Sequence, residues 1–454
     1  MLSAARLPYP GTVYLCSFFA VVLAVAGLTP GLLWPLLGAA AALGLAILAW
    51  RHLIGFSVAW LLVAGTSLEM TLHDLIAPSA YGTTIAVVKV AQIGLAILCA
   101  LRYGARLDLF NPSWAYLAIF TIGLLHGLHP GLSASDSLRS LAGSVAPFAF
   151  CFSRPPREWA AAMIRATRWA PLVSVAGGAA LAIAGVHPLF VDSGGARLAG
   201  LGHPAFLAGV CLAAVYACLI RLYRGGGSGD LALLGINLLI LILTGARAPL
   251  AYCGAVTALT LACIPAPGLP ARKRWLLLLG TATLLPAFML LNPVLSDFRL
   301  FNVLTTATTD LSGRDLLWPA FEQAAAQSYW FGWGLGAGNF VIPSTSELAQ
   351  LLGTWAAHNE YLRMQVEGGQ VGRGLLIAAF VLWVVRHTSR LPPAERQIMR
   401  LVFIVFAAHA LTDNILISTP ASVLFSFVAA VWVGETPVPA AARRSRLPRT
   451  AAVA

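Results

Sequence analysis

The sequence predicts an all-α fold: a polytopic helical membrane protein of about 12–14 transmembrane helices with one large external loop that contains short helices. Three observations carry this. Of the 454 residues, 59% are hydrophobic and only 10% charged, with a mean hydropathy of +0.81; a soluble domain carries about 25% charged residues. The apolar residues come in long continuous blocks rather than alternating ten-residue stretches, which favours a helical bundle over a β-barrel. Finally, a single long polar interval, 293–358, interrupts these blocks.

A spanning helix needs about 20 mainly apolar residues. The blocks that meet this are 11–28, 31–50, 53–69, 84–101, 113–128, 138–153, 169–187, 204–222, 231–245, 249–266, 275–292, 360–385, 398–418 and 420–434, fourteen in all. MLSAARLPYP leads into the first block with no small-x-small cleavage site ahead of a soluble domain, so an uncleaved first helix is expected. The chain then divides into helices at 1–190, helices with external arginines at 191–292, the loop at 293–357, C-terminal helices at 358–435 and a basic tail at 436–454.

Charge fixes the expected orientation. Arg6, every second turn (from Arg51 to Arg396 and Arg400) and the tail together hold 21 of the 29 Lys and Arg. The positive-inside rule puts that side, with both termini, in the cytoplasm. The net charge of +12 is therefore read as topology, and no nucleic-acid partner is expected. The seven cysteines lie scattered in apolar blocks without metal-ligand spacing, so neither a disulfide framework nor a metal site is expected.

Eight cations fall outside this scheme: Lys89, Arg139, Arg197, Arg247, Arg299, Arg314, Arg363 and Arg373. Topology does not call for them, and charge in a membrane is costly. Arg197, Arg247 and Arg314 all fall on the external side, where guanidinium groups suit a phosphate-bearing anion. Arg197 could instead pair with Asp192, and Arg314 with Asp310 or Asp315; Arg247 has no acid nearby in sequence. Lys89, alone in an apolar helix, suits either a functional role or snorkelling to the interface. Arg363 and Glu367 have i, i+4 spacing, which explains them without a substrate.

Within the loop, 313–327 has the pattern of a surface helix opened by Ser312 and Asp315, and Ser344 with Glu347 begins a second short helix. Four glycines (Gly332, Gly334, Gly336, Gly338) separate them, interleaved with aromatic residues. His358 stands where the loop re-enters the bilayer. Histidine titrates near neutrality and can serve as a general base toward a hydroxyl, or simply cap the helix. Glu360 is near enough to tune it, although i and i+2 point apart on a helix. Asp413 and Asn414, at the external end of another helix, could support the site. His126, His129 and His203 read as interface packing.

These residues resemble the O-antigen ligase and polysaccharide polymerase superfamily of bacterial inner-membrane glycosyltransferases. The likeness rests on Arg314 and Trp318 opening the loop, the GWGLGAG turn, and H-N-x-x-L with E-x-G-x-x-G (His358, Asn359, Leu362, Glu367, Gly369, Gly372). Upstream it extends to Arg197, Gly200 and Pro204, and to the turn Thr244, Gly245, Arg247. It covers roughly 190–420; a Ser-Tyr-Trp-Phe segment stands where the family commonly has proline. The resemblance implies a periplasm-facing enzyme of the bacterial inner membrane, working without cofactor. Its donor would be an undecaprenyl-diphosphate-linked glycan; its acceptor, lipid A–core, a growing lipid-linked glycan or a protein hydroxyl. His358 and Arg314 would be catalytic, and Arg197, Arg247, Glu360, Glu367 and Lys89 would hold diphosphate and substrate. A transporter with charges spread through its helix centres is the competing class.

Overall fold

The computed structural model describes residues 44–75, 78–192, 195–265, 270–290 and 316–433. The chain divides into two compact units, Met1–Phe56 and Ser57–Ala454. The blocks expected at 11–28 and, for the most part, 31–50 lie outside the described residues, as do the basic tail and 291–315 with Arg314 and Arg299.

Helix follows helix almost throughout: α1 (Leu53–Thr66), α2 (Leu68–Leu75), α3 (Pro78–Tyr103), α4 (Ser113–His126), α5 (Ala134–Val145), α6 (Arg157–Ile183), α7 (Pro204–Tyr223), α8 (Ser228–Leu243), α9 (Arg247–Cys263) and α10 (Ala271–Leu290). Beyond the gap come α11 (Trp318–Gln327), α12 (Glu347–Leu352), α13 (Glu360–Thr388), α14 (Pro393–His409) and α15 (Thr419–Trp432). A two-stranded antiparallel ribbon, β1 (Phe190–Asp192) with β2 (Ala196–Leu198), sits between α6 and α7. Among the described residues Gly82–Tyr103, Arg157–Ile183, Pro204–Tyr223 and Glu360–Thr388 are long and apolar enough to cross a membrane alone; α4, α8, α9 and α15 are apolar but shorter. The chain is an all-α polytopic membrane protein.

Why these segments sit where they do follows from their sequences. Both α7 and α15 are apolar on every face, and a helix hydrophobic all round belongs in the interior. Every residue of α15 is buried. Small side chains such as Ala208, Ala213, Ala214 and Ala217 let neighbouring helices approach α7 closely. An aromatic cluster joins α13, α14 and α15, with the Trp383 and Trp432 rings 4.0 Å apart and Phe148 against Phe425 at 4.4 Å.

Three expected boundaries shift. The block at 138–153 is two pieces, α5 and a 3-10 turn over Ala146–Phe152, because Pro147 lacks the N–H that would carry the α-helix through. The block at 169–187 is the end of a helix that starts at Arg157; α6 carries Arg165 and Arg168 on its faces instead of leaving them in a loop. The block at 398–418 ends as helix at His409, and 410–418 forms an irregular link rich in polar residues that leads to α15.

The loop folds on itself. Leu317, Phe321 and Ala325 form one apolar face of α11 and join Ala337, Ile342, Ala349 and Ala357 in a core that also takes Leu132 and, from α13, Val366. The apolar face of α11, expected on the membrane surface, is thus buried against protein. Ser346, not Ser344, caps α12 by accepting from the Ala349 N–H at 3.2 Å.

Docking of this loop depends on a break in α13. Gly369 has φ +60° and ψ −163°, so the helix cannot continue its own hydrogen bonds there. The freed groups are taken up by the glycine-rich turn. Trp333 and Gly334 donate their N–H groups to the Val366 and Glu367 carbonyls at 2.8 and 3.0 Å, and the Gln370 and Val371 N–H groups donate to the Tyr329 and Trp330 carbonyls at 2.9 and 3.1 Å. Irregular backbone in a spanning helix survives only when protein satisfies it in this way. At Gly332 a Cβ would stand 2.5 Å from the Glu367 carbonyl carbon, which accounts for glycine there.

Candidate active site

His358 is held from three sides. Its backbone takes the left-handed φ of +46°, uncommon for any residue with a Cβ and usually maintained by its surroundings. Trp318 Nε1 donates to the carbonyl of Ala357 at 2.9 Å, and Asn359 caps α13 by accepting the Leu362 N–H at 3.1 Å. The helix-capping role therefore belongs to Asn359, and the imidazole is left for other work. Its Nδ1 lies 3.0 Å from Asp413 Oδ1, and its Nε2 lies 3.0 Å from Thr354 Oγ1. The His358 side chain is 24% exposed and that of Asp413 37%, so the pair is reachable from outside. A carboxylate on Nδ1 fixes the proton there and leaves the Nε2 lone pair facing the Thr354 hydroxyl. This is the arrangement of an oriented general base.

The partner of His358 is thus Asp413, in the irregular link after α14, rather than Glu360. Glu360, buried, is bound to Arg363, whose Nε donates to it at 3.1 Å; the other side of the guanidinium donates to both oxygens of Glu367 at 2.9 Å. All three side chains are at most 5% exposed. Both glutamates expected at the substrate are accordingly engaged inside the protein.

Lys89, on α3, donates to the Ile417 carbonyl at 3.0 Å, and Thr419 donates to the buried Glu69. The two contacts pin both sides of Ser418, in the link that carries Asp413. Lys89 is thereby tied to the link that carries Asp413.

Two of the arginines expected on the external side meet. Arg197, on β2 and 7% exposed, donates from Nε to the Thr244 carbonyl at 2.8 Å, and so is joined to the turn that presents Arg247. Arg247 opens α9, half-buried and without a carboxylate partner among the described residues. One and a half turns along, Tyr252 donates to the Ala408 carbonyl at 3.2 Å and packs on the His409 ring at 5.0 Å. The Asp413 N–H in turn donates to the His409 carbonyl at 3.1 Å. Arg247 is about 7.5 Å from Tyr252 toward the start of α9, and Asp413 follows the C-terminal end of α14.

Beside the site, a groove of about 520 Å³ runs between α13 and α14. It opens at Glu360 and Tyr361 and continues past Leu376, Phe380 and Phe403, almost wholly apolar. His126 packs on Phe331, His129 on Trp333, and His203 caps α7 by accepting the Ala205 N–H. Thr354 had no distinguishing signal in the sequence.

No curated protein matches the chain. A family model described as O-Antigen ligase matches residues 232–377, from α8 through the loop to the middle of α13. The match includes Arg247, Arg314, His358, Glu360 and Glu367, and leaves Lys89, Arg197 and Asp413 outside it. That segment carries the arginine turn, the docked glycine loop and the histidine at the head of α13, and over it the chain is similar to the O-antigen ligase family.

Proposed function

We propose that this protein transfers a glycan from undecaprenyl diphosphate to an acceptor hydroxyl at the periplasmic face of the bacterial inner membrane. The observation that carries the reading is the His358–Asp413 pair, with its Nε2 turned toward a hydroxyl oxygen. His358 Nε2 takes the acceptor proton as that oxygen attacks the anomeric carbon. The bond from this carbon to the diphosphate oxygen breaks with inversion, and undecaprenyl diphosphate leaves. Negative charge grows on the leaving group, where guanidinium groups stabilise it; Arg197, Arg247 and Arg314 take that role. The apolar groove between α13 and α14 suits the polyprenyl tail, since it begins within three residues of His358. No step calls for a metal or nucleotide, and activity should persist in EDTA.

The test is glycan transfer in a deletion strain complemented by wild type or by His358→Ala, with lipopolysaccharide and lipid-linked glycan both resolved on gels. Removal of a general base lowers the rate about 10²–10⁴-fold. Full-length lipid-linked glycan accumulating in the mutant identifies a ligase; single repeat units identify a polymerase. Unaltered transfer by a membrane-resident His358→Ala protein sinks the catalytic reading and returns the transporter class.

A further inference from the structure

At the far end of α13 from His358, about 40 Å along that helix, a second cavity of about 350 Å³ opens where α6 begins, α7 ends, and α14 begins. Five arginines line it: Arg157, Arg165, Arg168, Arg221 and Arg224. Glu395 at its edge accepts two hydrogen bonds from Arg224, at 3.0 and 2.7 Å. Asp230 pairs with Arg168 and reaches Arg221 at 4.0 Å. Five guanidinium groups against two carboxylates leave an excess of three positive charges around one cavity.

Orientation in the membrane explains cations near this face, but not their convergence. Topology needs positive charge somewhere in the loops. It does not need Arg168 drawn into the protein, 8% exposed, where desolvation opposes it. Nor does it explain why Arg168 Nε is buried there without a hydrogen-bond partner. Arg157 and Arg165, at the rim, have no carboxylate partner among the described residues. A concave site with surplus guanidinium donors, one of them buried and unsatisfied, matches the geometry and charge of a phosphate oxygen cluster. α6 and α14 also begin at this cavity, at Pro156 and Pro392, with no side chain capping their first N–H groups. Helix starts add partial positive charge.

We propose that this cavity binds a phosphate group, from either an anionic phospholipid headgroup or a soluble phosphate, and thereby clamps the ends of α6, α7 and α14 together. The proposal is independent of the glycosyl-transfer reading, because none of these residues belongs to the His358 site.

The full chain would be placed in phosphatidylcholine nanodiscs in three forms: alone, with phosphatidylglycerol added, and with inorganic pyrophosphate in the buffer. Thermal unfolding would be followed for wild type, for Arg157→Gln/Arg165→Gln, and for Arg386→Gln/Arg390→Gln as a charge-matched control. Wild type and control should gain a few degrees with at least one of the anions. The cavity variant should bind that anion about tenfold or more weaker, as expected for lost charge-assisted hydrogen bonds. A gain from phosphatidylglycerol alone identifies the headgroup; a gain from pyrophosphate alone identifies a soluble phosphate; gains from both mean a site that takes either. No gain from either anion, or equal gains in the cavity variant, overturns the proposal. Should the double variant fail to fold, Arg165→Gln alone, an exposed side chain, carries the same comparison.

Discussion

Asp413→Asn gives the sharpest test of the site. The substitution preserves shape and removes one negative charge 3.0 Å from His358 Nδ1. At that distance a unit charge pair is worth about 1.4 kcal/mol in water and about 5.5 kcal/mol at an effective dielectric near 20. With His358 24% and Asp413 37% exposed, solvent screens the pair substantially. A charge-assisted hydrogen bond in that setting contributes about 1.5–3 kcal/mol. If the imidazolium forms as the acceptor loses its proton, most of this is expressed in the transition state, which is about a 10- to 100-fold loss of rate. The assay is initial transfer rate for wild type, His358→Ala, Asp413→Asn and the double variant. Asp413 acts on the reaction only through His358, so Asp413→Asn should cost little once His358 is alanine. Residues that act as a unit are non-additive in this way. If the two losses multiply, Asp413 works independently of His358. If Asp413→Asn alone is as active as wild type, the oriented-base reading is refuted.

Three further outcomes follow from the packing. Gly369→Ala forces a Cβ to 2.3 Å from the Trp330 carbonyl carbon at φ +60°; the backbone alone costs about 1–3 kcal/mol, and faster proteolysis within 316–357 would report the undocked loop. Arg363→Met leaves Glu360 and Glu367 buried without their cation, a loss of about 3–5 kcal/mol; thermal unfolding in detergent should show it, and Glu360→Gln/Arg363→Met/Glu367→Gln should recover much of it. A single variant as stable as wild type would show the triad to be dispensable. Burial holds the His129 imidazole below its usual range, so the unfolded loop takes up this proton at a higher pH than the folded one. Stability from this group is complete above about pH 6.5 and is lost as pH falls below it. Since His129 packs edge-on against Trp333 and its backbone N–H donates to the Trp333 carbonyl, amide protection in 329–334, measured against the intrinsic exchange rate at each pH, should fall between pH 7 and 5 and cease to do so in His129→Gln.

What the sequence determined by itself is short-ranged. Helices at 204–223 and 360–388 follow from apolar runs bounded by Pro204 and by Asn359, and the Arg363–Glu367 pair follows from four-residue spacing. The glycines at 332–338 were legible as a break in the loop, though not that Gly369 of α13 is their partner. Tertiary structure decided the rest. Asp413 reaches His358 across 55 residues, Arg197 reaches the Thr244 turn across 47, and Lys89 reaches Ile417 across 328. Such pairings depend on which helices lie side by side, and apolar faces that all prefer the same environment carry little information about their neighbours. Local geometry repeats every few residues and can be read from spacing. The site is assembled from helix ends and links, whose positions exist only once the bundle has packed.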